Sequence, residues 1–121
     1  MSSYSLNLQD AADLYFCVPR DSTLESVQLV TAANFGTHGA NYFTITVFGN
    51  DGATVLATHT NNSGASNGRY YTEGVPFAAT LGNMQKGDFT SSQGAKVTCV
   101  KTGTGTIDGN LVVTFSDARK Y

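Results

Sequence analysis

Residues 97–117 read VTCVKTGTGTIDGNLVVTFSD, and the fold depends on how that stretch divides. Its middle, Lys101-Thr102-Gly103-Thr104-Gly105-Thr106, has the residue types of a phosphate-cradling loop. A Walker loop runs Gly, four residues, then Gly-Lys-Ser/Thr, and joins a strand to a helix. Here the lysine precedes the glycines, and the NLVVTFS that follows alternates as a strand does. No helix N-terminus is on offer to hold an anion. The stretch therefore predicts strand, turn, strand: the last hairpin of a β protein, with Leu111, Val113 and Phe115 facing inward.

The same alternation extends through the chain. Residues 42–48, YFTITVF, place Phe43, Ile45 and Val47 on one side and Thr44, Thr46 and Phe48 on the other. The GNDG that follows tolerates positive φ and predicts a hairpin into a strand over 54–60. Further strands are expected over 13–19, 23–32, 75–81 and 95–101, with a short one near 88–91. Pro19 ends the first of these, because it cannot donate to a ladder. In the second, Leu24 is out of phase with Val27, which marks a bulge. Residues 61–74 form a long, polar, glycine-rich loop, the most flexible by composition. The best helix candidate, 7–14, spans one or two turns and is too short to hold.

About eight short strands, spaced near the ~8–12 residues of sandwiches and barrels, predict an all-β, single-domain, jelly-roll-like β-sandwich of antiparallel strands. An immunoglobulin-like sandwich comes second, since the chain has no tryptophan for its core. The expected division is an N-terminal extended arm over 1–12, a sandwich over 13–117 and a tail over 118–121.

Composition narrows the function. At 121 residues the chain can bury a core without staples. Charged residues make up 13%, about half the usual ~25%, and Gly, Thr, Asn and Ser take their place on a neutral, hydrogen-bonding surface. The cations Arg20, Arg69, Lys86, Lys96, Lys101, Arg119 and Lys120 are scattered, whereas nucleic-acid binding needs a concentrated stripe. The N-terminus lacks a secretory leader, and no run approaches the ~20 apolar residues of a membrane span. A soluble product made in a cytoplasm is expected, with no direct contact to nucleic acid or membrane. Cys17 and Cys99 read as buried thiols that behave as small hydrophobes. A disulfide between them is the other reading, and a cytoplasmic origin argues against it.

No catalytic constellation stands out. His38 sits in a glycine-flanked loop and His59 in a strand, both read as surface or half-buried positions without the spacing of a metal pair. No G-x-S-x-G elbow occurs. The acidic turns NDG, KGD and DGN read as turn chemistry rather than calcium loops. The expectation is a non-enzyme with no metal and no cofactor.

Two groups are candidate partner contacts. Arg69, Tyr70 and Tyr71 lie in the long loop, where arginine and aromatic residues serve as binding anchors for a sugar or a neighbouring subunit. The other reading tucks one tyrosine into the sandwich edge and exposes the other. Tyr4, Leu6 and Leu8 alternate with Ser5 and Asn7. They form either a frayed end or an arm that adds a strand to a partner.

Residues 77–117, FAATLGNMQKGDFTSSQGAKVTCVKTGTGTIDGNLVVTFSD, and residues 22–56, STLESVQLVTAANFGTHGANYFTITVFGNDGATVL, resemble the capsid decoration, or cement, proteins of tailed bacteriophages. The likeness spans roughly residues 14–117 and is carried by turns and alternation. It implies a sandwich on the outer face of an icosahedral head, bound to the major capsid protein as a trimer or dimer. There it stabilises the shell against internal DNA pressure and brings no catalytic residues. The expected location is the virion surface, after synthesis in the host cytoplasm and release by lysis. The alternatives are a carbohydrate-binding sandwich, as a head fibre or lectin-like module anchored by Arg69, Tyr70 and Tyr71, or another virion part such as a head–neck or tail protein.

Overall fold

Alternating apolar residues give eight strands in two antiparallel sheets. The computed structural model describes residues 2–8, 12–17, 22–49, 55–81 and 94–117. The strands are β1 (Ser2–Leu8), β2 (Ala12–Cys17), β3 (Ser22–Thr31), β4 (Tyr42–Phe48), β5 (Val55–Thr60), β6 (Phe77–Ala78), β7 (Gly94–Thr102) and β8 (Gly109–Asp117). One sheet has the order β1-β8-β3-β6 and the other β2-β7-β4-β5. The expected antiparallel β-sandwich is what forms.

The pairing has a simple logic. β1 pairs with β8, β2 with β7, β3 with β6 and β4 with β5, as the segments of one long hairpin would. Doubling that hairpin over brings β3 against β8 and β4 against β7. Among the described strands, β4 and β5 alone are consecutive within one sheet.

The core sits between the sheets. Val27 and Leu29 of β3, Phe43, Ile45 and Val47 of β4, Val97 and Cys99 of β7, and Leu111, Val113 and Phe115 of β8 are all buried. Each such side chain contributes about 1.5–3 kcal/mol by leaving water. The bulge expected in β3 is present, as a register shift between Leu24 and Ser26. The extra residue, Glu25, is exposed. Leu24 and Val27, three apart, can then both point inward.

Three expectations need correction. The N-terminal segment is not a separate arm. β1 hydrogen-bonds β8 of its own chain along its whole length, and Leu8 is buried in the core. The strand expected over 75–81 shrinks to Phe77–Ala78, since Pro76 has no N–H to give and Val75 N is spent on Thr72 O in a turn.

The last connection is not a hairpin. β7 belongs to one sheet and β8 to the other, so residues 103–108 cross between sheets at the end of the sandwich. The crossing is held by buried Ile107, by a turn in which Gly105 N donates to Thr102 O, and by Ala32 N donating to Asp108 O. Gly103 takes φ +63°, in the left-handed region.

The alternative reading of the cysteines, a disulfide, fails. Cys99 lies opposite Ala12 and Cys17 opposite Gly94, so the two cysteines are five residues apart along the paired strands. That is about 17 Å at ~3.4 Å per residue, well beyond the ~7 Å that a disulfide spans. Cys99 is a buried thiol in the core. The GNDG turn, the short strand near 88–91, Pro19 and the 118–121 tail lie outside the described residues.

Candidate functional site

The long polar loop after β5 is closely tied to the sandwich. Asn61 is buried, accepts Phe43 N on Oδ1 at 2.9 Å and donates Nδ2 to Gly36 O at 2.9 Å. Asn62 O accepts Ala65 N, Ala65 O accepts Gly68 N, and Arg69 N returns to Thr60 O at 3.1 Å. Tyr71 and Phe35 exchange backbone bonds in both directions at 2.9 Å. These bonds fix where the side chains of Arg69, Tyr70 and Tyr71 go.

The three candidates of this loop separate. Tyr71 is buried, whereas Tyr70 is 48% exposed. The Arg69 guanidinium carbon lies 3.4 Å from the centroid of the Phe77 ring and 5.4 Å from that of Tyr71. Its Nε donates to Tyr70 O at 3.0 Å. Arg69 and Tyr71 therefore form one cluster with Phe77, and Tyr70 faces solvent.

His59 belongs to the cluster and is not at the surface as its sequence setting implied. It is 2% exposed. The register of the β4–β5 hairpin puts it opposite inward-facing Ile45. That register was the signal that places it inside. Its Nε2 lies 3.0 Å from Val27 O and its Nδ1 lies 2.8 Å from the Tyr71 hydroxyl. A carbonyl only accepts, so Nε2 carries the proton and Nδ1 accepts from the tyrosine O–H. Burial pushes the imidazole down to about 4; the bond to Val27 opposes this and the Arg69 charge adds to it. Burial pushes the Tyr71 phenol up to about 12, against the opposing pull of Arg69.

Around this cluster the rings meet edge-on. Phe35 and Phe43 are T-shaped at 5.8 Å, as are Tyr71 and Phe77 at 6.1 Å and His59 and Phe77 at 6.0 Å. Such pairs contribute ~0.5–1.5 kcal/mol each beyond area. Beside them opens a cleft of about 370 Å³ between the β5 side and β6, lined by Thr58, Asn67, Arg69, Phe77 and Thr80 among others.

A second hollow, about 520 Å³, lies where the 32–41 loop, Asn61 and the 103–108 crossing meet. Its Asn34, His38, Asn41 and Asn61 side chains are engaged in holding the loops. Asn41 Oδ1 accepts Thr104 N at 2.8 Å, Asn34 Oδ1 accepts Glu73 N at 2.8 Å, and His38 Nδ1 accepts the N–H groups of Ala40 and Asn41. These bonds make it a scaffold.

The N-terminal candidates lie elsewhere. Leu8 is buried and Leu6 packs partly against the core, while Tyr4 stands opposite Val113 in the register. What β1 offers outward is Ser3, Ser5 and Asn7, all exposed, and a backbone edge that no other described strand pairs with. Among the described residues no group of three or more His, Cys, Asp or Glu is placed to hold a metal ion, and no helix is long and apolar enough to cross a membrane. Neither a protein-family model, nor a curated protein, nor a solved structure matches the chain.

Proposed function

We propose that this protein is a structural component of a virion, a decoration protein that docks on the outer face of an icosahedral phage head and ties neighbouring capsomers together. The observation that carries the reading is the outer face of the β1-β8-β3 sheet. Its side chains stand in three rows set by the register: Ser3, Thr114 and Ser26; Ser5, Val112 and Gln28; Asn7, Asn110 and Val30. None is charged, and each is exposed or half-buried. The face ends at β1, an edge strand of seven residues with neither proline nor charge to blunt it.

A nearly uncharged, hydrogen-bonding face, with only Glu25 at its β3 bulge, suits docking on a large protein surface. Small Ser, Thr and Asn side chains lose little rotamer freedom when covered. The strand order is read as a jelly roll, since pairing first with last is what rolling one long antiparallel hairpin gives. The resemblance of residues 14–117 to decoration proteins points the same way. The function is non-enzymatic: each copy adds a few kcal/mol across a capsomer boundary, and binding stabilises the shell by mass action. The partners are the major capsid protein and further copies of this chain.

Rebinding tests the proposal. Heads stripped of this protein regain it on mixing and gain resistance to heat. A protein that binds no head, or that is present at the dozen or fewer copies of a neck component, is not a decoration protein.

A further inference from the structure

We infer that the cleft beside Arg69 is a binding site for a carboxylate carried on a small hydroxyl-rich body, the chemistry of an acidic sugar. The inference is independent of the virion role. Three observations carry it.

The first is a cation held in place with donors to spare. Arg69 is fixed by its backbone bond to Thr60 O, by Nε donating to Tyr70 O, and by stacking on Phe77. A guanidinium has five N–H donors. The four on its terminal nitrogens have no protein partner among the described residues. The side chain loses little further freedom on binding, and its planar fork matches the two oxygens of a carboxylate.

The second is the absence of competing charge. Among the described residues no Asp or Glu lines the cleft to neutralise Arg69. One guanidinium in neutral surroundings matches one negative charge. A phosphate dianion would need a second cation or a nest of backbone N–H groups, and among the described residues Arg69 is the only Lys or Arg lining the cleft.

The third is the remaining lining. Thr58, Ser66, Asn67 and Thr80 supply hydroxyl and amide groups, and Val55, 49% exposed, is part of the apolar wall. Asn67 spends an Nδ2 proton on Thr58 O at 3.3 Å. Its carbonyl oxygen can accept from a ligand hydroxyl. A volume of about 370 Å³ falls in the small-ligand range of ~300–1,000 Å³ and fits a monosaccharide.

The test is a set of NMR titrations of the intact protein that follow the Arg69 Nε–H and the backbone amides of Thr58 and Asn67. The probes are sodium glucuronate, sodium N-acetylneuraminate, glucose, sodium acetate and inorganic phosphate. The inference expects saturable shifts with at least one of the two acidic sugars. It expects binding about tenfold or more weaker for acetate and phosphate, and none for glucose. Arg69→Gln and Arg69→Lys each weaken the acidic sugar about tenfold or more, the lysine because it lacks the bidentate fork. Thr80→Val, which leaves the arginine in place, weakens it several-fold without changing acetate. The inference is overturned if neither acidic sugar saturates, if glucose, acetate or phosphate binds as tightly, or if Arg69→Gln and Thr80→Val both leave affinity unchanged.

Discussion

His59 Nδ1 accepts a hydrogen bond from the Tyr71 hydroxyl at 2.8 Å, in a site from which both side chains exclude water. The bond joins the end of β5 to the loop that carries Arg69. It requires a neutral imidazole, so the loop's attachment depends on pH.

Stability falls on mild acidification. The folded imidazole titrates at about 4 against 6.5 in the unfolded chain. A group with a depressed folded pKa lets the unfolded state bind the proton first. The stabilisation is therefore whole above pH 6.5 and is lost as pH falls from 6.5 toward 4, by about 3 kcal/mol at most. Urea midpoints between pH 7 and pH 4.5 should show this slope, and His59→Gln should flatten it.

Tyr71→Phe isolates the hydroxyl. The ring still packs against Phe43 and Phe77, but His59 Nδ1 is left buried without a donor. The expected loss is about 1–3 kcal/mol, read from thermal or urea unfolding at pH 7.5.

Gly105→Ala bears on the crossover between sheets. A Cβ there would lie 2.6 Å from the Tyr42 carbonyl carbon and closer still to the Tyr42 carbonyl oxygen. Backbone atoms cannot swing aside as a side-chain tip does, so the 103–108 segment or β4 must shift. A loss of about 2 kcal/mol or more is expected from overpacking. Thermal unfolding of the isolated protein reads it, since the cost belongs to the fold and not only to assembly.

Thr31→Val should raise stability. Thr31 is buried at the end of β3, and its Oγ1 has no hydrogen-bond partner among the described residues. Valine keeps the β-branched shape and removes a stranded polar atom, for a gain of about 1 kcal/mol. A lower melting temperature would contradict that account.

The parts of the fold legible in the sequence are those set by alternation within one strand. YFTITVF became β4 with the expected inner face, and the phase break between Leu24 and Val27 became the β3 bulge. What stayed hidden was which sheet a strand joins. The TGTGTIDG segment has the chemistry of a turn whether it reverses the chain within a sheet or carries it across, and only the pairing of β8 with β1 and β3 decides. The N-terminal segment misled for a similar reason. Its Leu6 and Leu8 alternate, but nothing local says that β8 waits to receive them.

The Arg69-Tyr70-Tyr71 triplet was visible in the sequence as a group of candidate partner contacts. Its division into a buried tyrosine, an exposed tyrosine and a stacked arginine follows from the Phe35–Tyr71 bridge and from Phe77 of β6. Those contacts join residues far apart in the chain. His59 was invisible as a site residue because its partners, Val27 and Tyr71, come from β3 and from the loop.

The central claim is that the β1-β8-β3 face, uncharged apart from Glu25 at the β3 bulge, docks on a phage head. Co-sedimentation with stripped heads tests it most directly, comparing the native chain with Ser5→Glu, whose exposed position carries no core contact. The account predicts on the order of hundreds of native copies per symmetric shell. It also predicts similar binding at about 0.05 M and about 0.5 M salt, because the three rows of the face carry no charge to be screened. Ser5→Glu, folded as judged by its melting curve, should bind at least about tenfold more weakly. The absence of native binding, or Ser5→Glu binding as well as the native chain, would contradict it.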